Sequence, residues 1–564
     1  MLLVTQRLNQ ILRERVTALW AAELPTEASF DVTRSLAHGD LSSTAALRLA
    51  SVLRNAPPKI AAQLASELRT AVAADPSVAS AVQSVEPMGG FVNVTLSREF
   101  WNSLAHRIPT DSIAYGRGDR LGAKAQVEFV SANPTGPLTV AHGRQAALGD
   151  TLCRILDAAG YDVNREYYLN DTGNQMRMLG LSVWYRMKEM HGETIELPEN
   201  CYRGEYIREI AAEAEVKLAS ELAAATDEQA VDLLARFAGE FILNWIKGDL
   251  EDFRVTLETW FSQREMEDSG AVDRVVDDYR AKDLVYEKDG ALWLKTSRHG
   301  DSDDRVVVKQ DGSYTYRTPD IAYHCDKFNR GFQQMFVLLG PDHHAHTITM
   351  KAALRALGLH ADRLKHIIIQ HCTLYRGGEP LKMSTRRATY VTLREIMDAV
   401  GVDAARFFFL NRSAESHLDF DLELAVKQAS DNPVFYLQYA SARCASILAK
   451  AQEDGFFGPG EFRNDAFQPT PDDISLMESD EVELLRYLGR FPLTIQRAAA
   501  NAEAMKVINY LTESVENFHN YYQRRRVMTD DKAASRARLA VVSAFRQVLA
   551  NGLWLLGVSA PVRM

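Results

Sequence analysis

The stretch between residues 125 and 168 limits the fold more than any other. Residues 126–130 alternate as a short strand, a loop holding Pro134, Gly136 and Pro137 follows, and a helix is expected from about residue 139 to 159. Gly160 stops that helix, and residues 163–168 read as a second strand. A strand, loop, helix and strand in this order open a doubly wound α/β sheet. Further apolar strands at 335–339 and 366–370, separated by a helix near 352–357, predict that the sheet resumes later. Residues 190–285 alternate charge in a helical rhythm and are expected to be a helical insertion that splits the sheet domain.

The flanks differ from this centre. Residues 1–112 combine Ala- and Leu-rich helices with Gly89, Gly90 and a short alternating run at 91–94, which predicts an α+β domain. Residues 113–426 hold the sheet, and residues 427–564 read as nearly all helix, interrupted by a Pro-, Gly- and Asp-rich stretch at 454–473. With 46% apolar and 25% charged residues, the chain is neither disordered, collagen-like nor membrane-spanning in composition. Its five cysteines are too widely spaced for a zinc knuckle or a tight disulfide frame, and the charged amphipathic N-terminus is unlike a signal peptide. A soluble chain in a reducing, cytoplasmic compartment is the expectation.

The net charge of −11 argues against indiscriminate coating of nucleic acid. Charge is uneven, however: residues 484–564 hold twelve Lys and Arg against five Asp and Glu. The densest point is Tyr521-Tyr522-Gln523-Arg524-Arg525-Arg526. Rings beside guanidinium groups can stack on splayed bases and neutralise phosphates, and the same run also fits a solvated helix end.

Two runs carry chemistry. Val127 to Arg144 places small and turn residues between a strand and a helix N-terminus, with His142 in the first helical turn. Backbone N–H groups there attract phosphate and His142 can donate to it, although a first-turn His can equally be a cap or a packed residue. The second run, Gly377 to Arg387, is a glycine turn followed by a cationic loop holding Lys382, Arg386 and Arg387. Such a loop can clamp a triphosphate or be a plain surface loop.

Six segments in order give these motifs a context: VEFVSANPTG, REYYLNDTGNQM, KQDGSYTYRTPDIAYHCDKF, GEPLKMSTRRATYVTLRE, DNPVFYLQYASAR and GVSAPVRM. Together they resemble the class I aminoacyl-tRNA synthetases and, within them, the arginyl-tRNA synthetase family, from the N-terminal region to the last residue. The resemblance implies a Rossmann-like catalytic domain with insertions, an N-terminal module touching the tRNA core and an all-α C-terminal anticodon-binding bundle. It implies activation of L-arginine by ATP with Mg2+, transfer to the 3′-terminal ribose of arginine tRNA, no structural metal, a monomer, and a requirement for bound tRNA before arginine is activated.

Carried over residue by residue, the family pattern makes Thr139, His142, Lys382, Ser384 and Arg386 catalytic, and Ala141, His142, Lys382, Met383 and Ser384 contacts of ATP. Glu128, Asn133, Tyr316 and Asp320 match arginine-binding positions. Tyr316, Thr318 and Asp320 alternate and could present one face, with Asp320 the natural bidentate partner of a guanidinium. Glu128 can equally pin a neighbouring Lys or Arg. Asn170, Asp171 and Gln175, with Asp342 and His344 from the run Asp342 to His346, are expected at the cleft, and Tyr522, Arg524 and Arg525 at the tRNA.

The sequence departs from the family pattern where His-hydrophobic-Gly-His reads Thr139-Val140-Ala141-His142, and where Thr385 replaces the second Lys of the cationic loop. A methyl at Ala141 is expected to crowd the adenine and weaken ATP binding. These departures also admit a second reading, a non-catalytic synthetase paralogue that binds tRNA or arginine as a regulator.

Overall fold

The computed structural model describes residues 1–33, 36–381 and 391–564. The loop residues Lys382, Met383, Ser384, Thr385, Arg386 and Arg387 therefore lie outside the described residues, as does the side chain of His344.

The central sheet has five strands, all parallel, in the order Leu364–Ile368, Gln334–Leu339, Lys124–Glu128, Asp162–Leu169 and Thr259–Ser262. Lys124–Glu128 sits in the middle because its core residues Ala125 and Val127 are buried. Its neighbour on one side follows it directly in the chain, and its neighbour on the other comes from beyond residue 330. The strand order reverses there, and in open α/β sheets that is where a crevice opens beyond the strand ends.

Thr259–Ser262 corrects the all-helical reading of 190–285. Helices Tyr206–Lys217, Ala219–Ala224 and Asp227–Asp252 fill the middle of that region, but this four-residue segment pairs with Glu166–Leu169 as the edge strand. Four residues between charged helices are too few for a period-2 signal, and Trp260 is held at the edge by stacking on Tyr167 at 4.6 Å.

The N-terminal region packs helices Leu2–Trp20, Ala45–Leu53 and Pro57–Ala73 on a four-stranded antiparallel sheet. Its hairpin, Val82–Met88 with Phe91–Leu96, is longer than the 91–94 run predicts, and turns through Gly89 at φ +60°. Long helices, among them Pro433–Glu453, Met505–Arg524 and Lys532–Leu555, build the C-terminal region. All five cysteines are free, and no helix among the described residues is long and apolar enough to cross a membrane.

Two fully buried guanidinium groups tie these parts to the helix Val140–Ala158. Arg144, on that helix, donates to the carbonyls of Gln370, His371, Ser413 and Ser416 at 2.7 to 3.3 Å. Arg406 reaches Asp150 of the same helix at 2.6 Å, and also donates to the carbonyls of Phe253 and Leu556. The last helix of the chain is thereby locked to the first helix of the sheet domain. Replacing Arg406 by Met strands three buried acceptors. It should lower stability by about 3 to 5 kcal/mol, read as a lower urea midpoint by tryptophan fluorescence.

Candidate active-site cleft

A cleft of about 450 Å³ opens beyond the C-terminal ends of Lys124–Glu128 and Gln334–Leu339. The chain leaves the central strand through Val130 at φ +68° and Ser131 at φ +38°, both on the cleft wall. A β-branched residue in the left-handed region is strained, and such strain gathers at functional turns. Tyr167 donates to the Ala132 carbonyl at 2.7 Å and holds the turn in place.

His142 lines the cleft one turn into the helix Val140–Ala158, with Thr139 as its N-cap. The Thr139 backbone N–H donates to His142 Nδ1 at 3.1 Å, so Nδ1 is the acceptor and Nε2 carries the ring hydrogen. Burial lowers the His142 pKa to about 4, which keeps the ring neutral near pH 7. The site therefore presents a neutral donor at a helix N-terminus, where anionic groups are favoured. Ala141 is exposed beside it.

Lys382 to Tyr390 lie outside the described residues, but the segments on either side of them are placed. Leu381 donates to the Leu374 carbonyl at 2.8 Å. On the far side, Val140 N–H donates to the Val391 carbonyl at 3.1 Å and Leu393 N–H to the Leu138 carbonyl at 2.8 Å. The chain that carries the cationic loop is thus stitched directly onto the His142 motif.

Asp320 lines the opposite wall, but not as alternation suggests. Arg317–Asn329 is a helix, so the three do not share one face: Thr318 turns inward to the Val307 carbonyl at 2.6 Å, while Tyr316, 67% exposed, lines the cleft with Asp320. Pro319 and an acid in the first turn are helix-start signals that override the alternation. His324, one turn on, lies 3.1 Å from one Asp320 oxygen, and His346 hydrogen-bonds the other. Burial pushes the Asp320 pKa up, but His324 and His346 outweigh it and hold the carboxyl well below the usual range. Burial, then Asp320 and Glu128, raise the Tyr168 phenol beside them.

Glu128 lines the cleft and also pins a lysine: Lys327, fully buried, reaches its Oε2 at 2.6 Å. Asn133 lines the mouth and donates to exposed Gln175 at 2.6 Å. Asn170 also lines the cleft. Asp171 does not face it, because it accepts from Ser262 Oγ at 2.6 Å and Arg264 N at 3.0 Å and so caps the turn after the edge strand. Asp342 is exposed and lies off the wall, while His343 and His346 are on it. Helical spacing of three, rather than the run's composition, selects that pair. His344 begins the helix His344–Ala356. The sequence reading missed Lys327, His324 and His366; a count of i+4 neighbours of Asp320 finds His324.

In the C-terminal region, Arg525, expected at the tRNA, is paired with Asp480 at 2.7 Å and Glu478 at 2.9 Å. Arg486, Arg497, Arg536, Arg538 and Arg546 likewise reach carboxylates that precede residue 484. Tyr522 is half-buried and carries Arg443 over its ring at 4.4 Å, while Arg524 is exposed. Exposed Tyr439 continues this face on the other side of Arg443.

Residues 4–96 match the family described as arginyl tRNA synthetase N terminal domain, 115–422 the class I (R) tRNA synthetase catalytic domain, and 437–564 the DALR anticodon binding domain. The arginine–tRNA ligase of Desulfosudis oleivorans is 43% identical over 549 residues, covering 97% of this chain and 96% of its own. That of Syntrophotalea carbinolica is 42% identical over 569 residues, covering 99% and 100%. The arginyl-tRNA synthetase structure from Thermus thermophilus has the same fold, with a TM-score of 0.77, 21% identity and coverage of 99% and 100%.

The state of His142 can be checked directly. Nitrogen NMR of the labelled ring should show the neutral Nε2–H form down to about pH 4. Because this value lies below that of an unfolded His, about 6.5, the unfolded chain gains its proton first as pH falls. The associated stability is present above 6.5 and lost as pH falls toward about 4, and His142→Gln should show a shallower decline in that window.

Proposed function

The chain belongs to the arginyl-tRNA synthetase family of class I, an arginine–tRNA ligase family, and from that premise we propose how its cleft activates L-arginine and passes it to tRNA. An arginine carboxylate oxygen attacks the α-phosphorus of ATP and pyrophosphate leaves, giving arginyl-adenylate. A ribose hydroxyl at the 3′ end of arginine tRNA then attacks the activated carbonyl, and AMP leaves.

The observation that carries this assignment is Asp320, an ionised, half-buried carboxylate facing the neutral donor His142 across one cleft. Asp320 receives the guanidinium, and Asn133 and Tyr316 hold the remainder of the amino acid. Glu128 belongs to the same wall, but with Lys327 on it the carboxylate acts as a neutral pair that shapes the pocket and adds no net charge. His142 donates from Nε2 to the α-phosphate oxygens, Thr139 fixes its ring, and Ala141 lies against the adenine. Charge that builds on the leaving pyrophosphate is met by Lys382, Ser384 and Arg386, with Met383 beside the base.

Mg2+ bound with ATP would offset part of the triphosphate charge. The described carboxylates of the cleft, Glu128 and Asp320, are already paired, which supports a metal held by the phosphates instead of a structural site. The tRNA contacts proposed for the C-terminal bundle are Tyr522 and Arg524, with Arg443 and Tyr439 in place of Arg525, whose charge is spent internally. The enzyme works as a cytoplasmic monomer. The regulator reading is not favoured, since a chain released from catalysis has no need to keep Asp320, His142 and the stitched loop ends together.

Arginine-dependent ATP–pyrophosphate exchange tests the assignment: activity is expected with arginine tRNA and little without it, and no exchange in either case points to the regulator. Asp320→Asn should raise the arginine KM by roughly tenfold or more, a charged hydrogen-bond loss, and leave the ATP KM nearly unchanged. Equal effects on both would remove Asp320 from the guanidinium. Ala141→Gly should lower the ATP KM, and a rise would mean the pocket is shaped around the methyl.

A further inference from the structure

We infer that His324 is a second acceptor for the arginine guanidinium, acting through Nε2 beside Asp320 and determining specificity. The inference rests on the reading that Asp320 receives this group.

The ring's hydrogen position follows from its neighbours. His324 Nδ1 lies 2.8 Å from the Asp320 carbonyl oxygen and 3.1 Å from its Oδ1. Both oxygens only accept, so Nδ1 carries a hydrogen and Nε2 is the nitrogen left for a ligand. That atom is buried and has no hydrogen-bond partner among the described residues, although His324 forms part of the cleft wall. A buried acceptor without a donor is unfavourable, and few native groups are left so unless a ligand completes them.

The substrate brings the missing donors. A guanidinium offers five N–H groups in a planar fork, whereas the Asp320 carboxylate already receives one imidazole on each oxygen. Asp320 alone therefore leaves part of the fork unmet. His366, with its ring 6.2 Å from that of His324 and its Nδ1 also buried and unpartnered, lies beside it on the same wall. Burial lowers the His366 pKa to about 3, so this ring adds no competing cation. The acceptors line a planar, many-donor cation better than the compact ammonium of lysine. His324 is the better fixed of the two rings on Asp320, because it sits one helical turn from it and bonds both its side chain and its backbone.

Two substitutions separate the ring's nitrogens. In His324→Asn the amide can take the place of Nδ1 and donate to Asp320, but it ends short of Nε2. In His324→Gln the longer amide can set an acceptor where Nε2 stands. Pyrophosphate exchange with arginine tRNA, with Asp320→Asn run in parallel and folding checked by thermal melt, should show the arginine KM of His324→Asn raised by roughly tenfold. The ATP KM should stay within about twofold, and His324→Gln should retain most of the arginine affinity. The reverse order, with Asn near native and Gln impaired, would mean that His324 only orients Asp320 and overturns the inference. So would equal losses in both variants. An unchanged arginine KM in both, with Asp320→Asn impaired, removes His324 and leaves the Asp320 reading standing. If all three leave the arginine KM unchanged, the guanidinium site itself lies elsewhere.

Discussion

Arg144 is the constraint on which the site depends. Its guanidinium is fully buried without a carboxylate partner, and four backbone carbonyls from two distant segments carry its charge. Carbonyl acceptors are fixed by the backbone, so the cation specifies the spacing between the His142 helix and the strand Cys372–Arg376 that leads toward Leu381. Arg406 repeats the device further along the same helix, joining Asp150 to the carbonyl of Leu556 near the end of the chain. A cation so placed gains little net stability over an apolar residue, but it penalises any arrangement that strips its partners away.

This coupling gives a physical route between the two ends of the enzyme. Arg254 bonds Asp403 and the Gly557 carbonyl, and Asp403 in turn accepts from Ser559 N. The tail after the last helix is thereby held by groups that also contact the helix of His142. Displacing it would disturb Arg406 and Asp150 before it reached the cleft. The link is one of contiguous hydrogen bonds, and a change of state at both ends is what would make it a signal.

Periodicity made the parallel sheet, the His142 helix and the helical C-terminal region legible in the sequence, because each carries many residues of one pattern. The strand Thr259–Ser262 was not legible, since four residues set no period. Asp320, expected at the arginine, lines the cleft on a geometry that alternation does not predict: Pro319 starts a helix within the triplet Tyr316, Thr318 and Asp320. The consequence was that His324, a full turn away, went unseen. Composition likewise gave a +7 C-terminal stretch that the fold largely neutralises, for carboxylates such as Asp40 and Asp480 are distant in sequence and adjacent in space. Spatial pairing of charge has no linear signature.

The left-handed turn at Val130 and Ser131 has a consequence for mutational history. A β-branched residue held at φ +68° is about 1 to 3 kcal/mol above its relaxed conformation. Glycine at that point would relieve the strain in the folded state, yet it would also release the turn that aims Ala132 and Asn133 into the cleft. Selection for thermal robustness and selection for turnover thus pull in opposite directions at one dihedral angle. Stabilised variants gathered by heat challenge alone are expected to drift there first, with the fold intact and the arrangement of the cleft loosened.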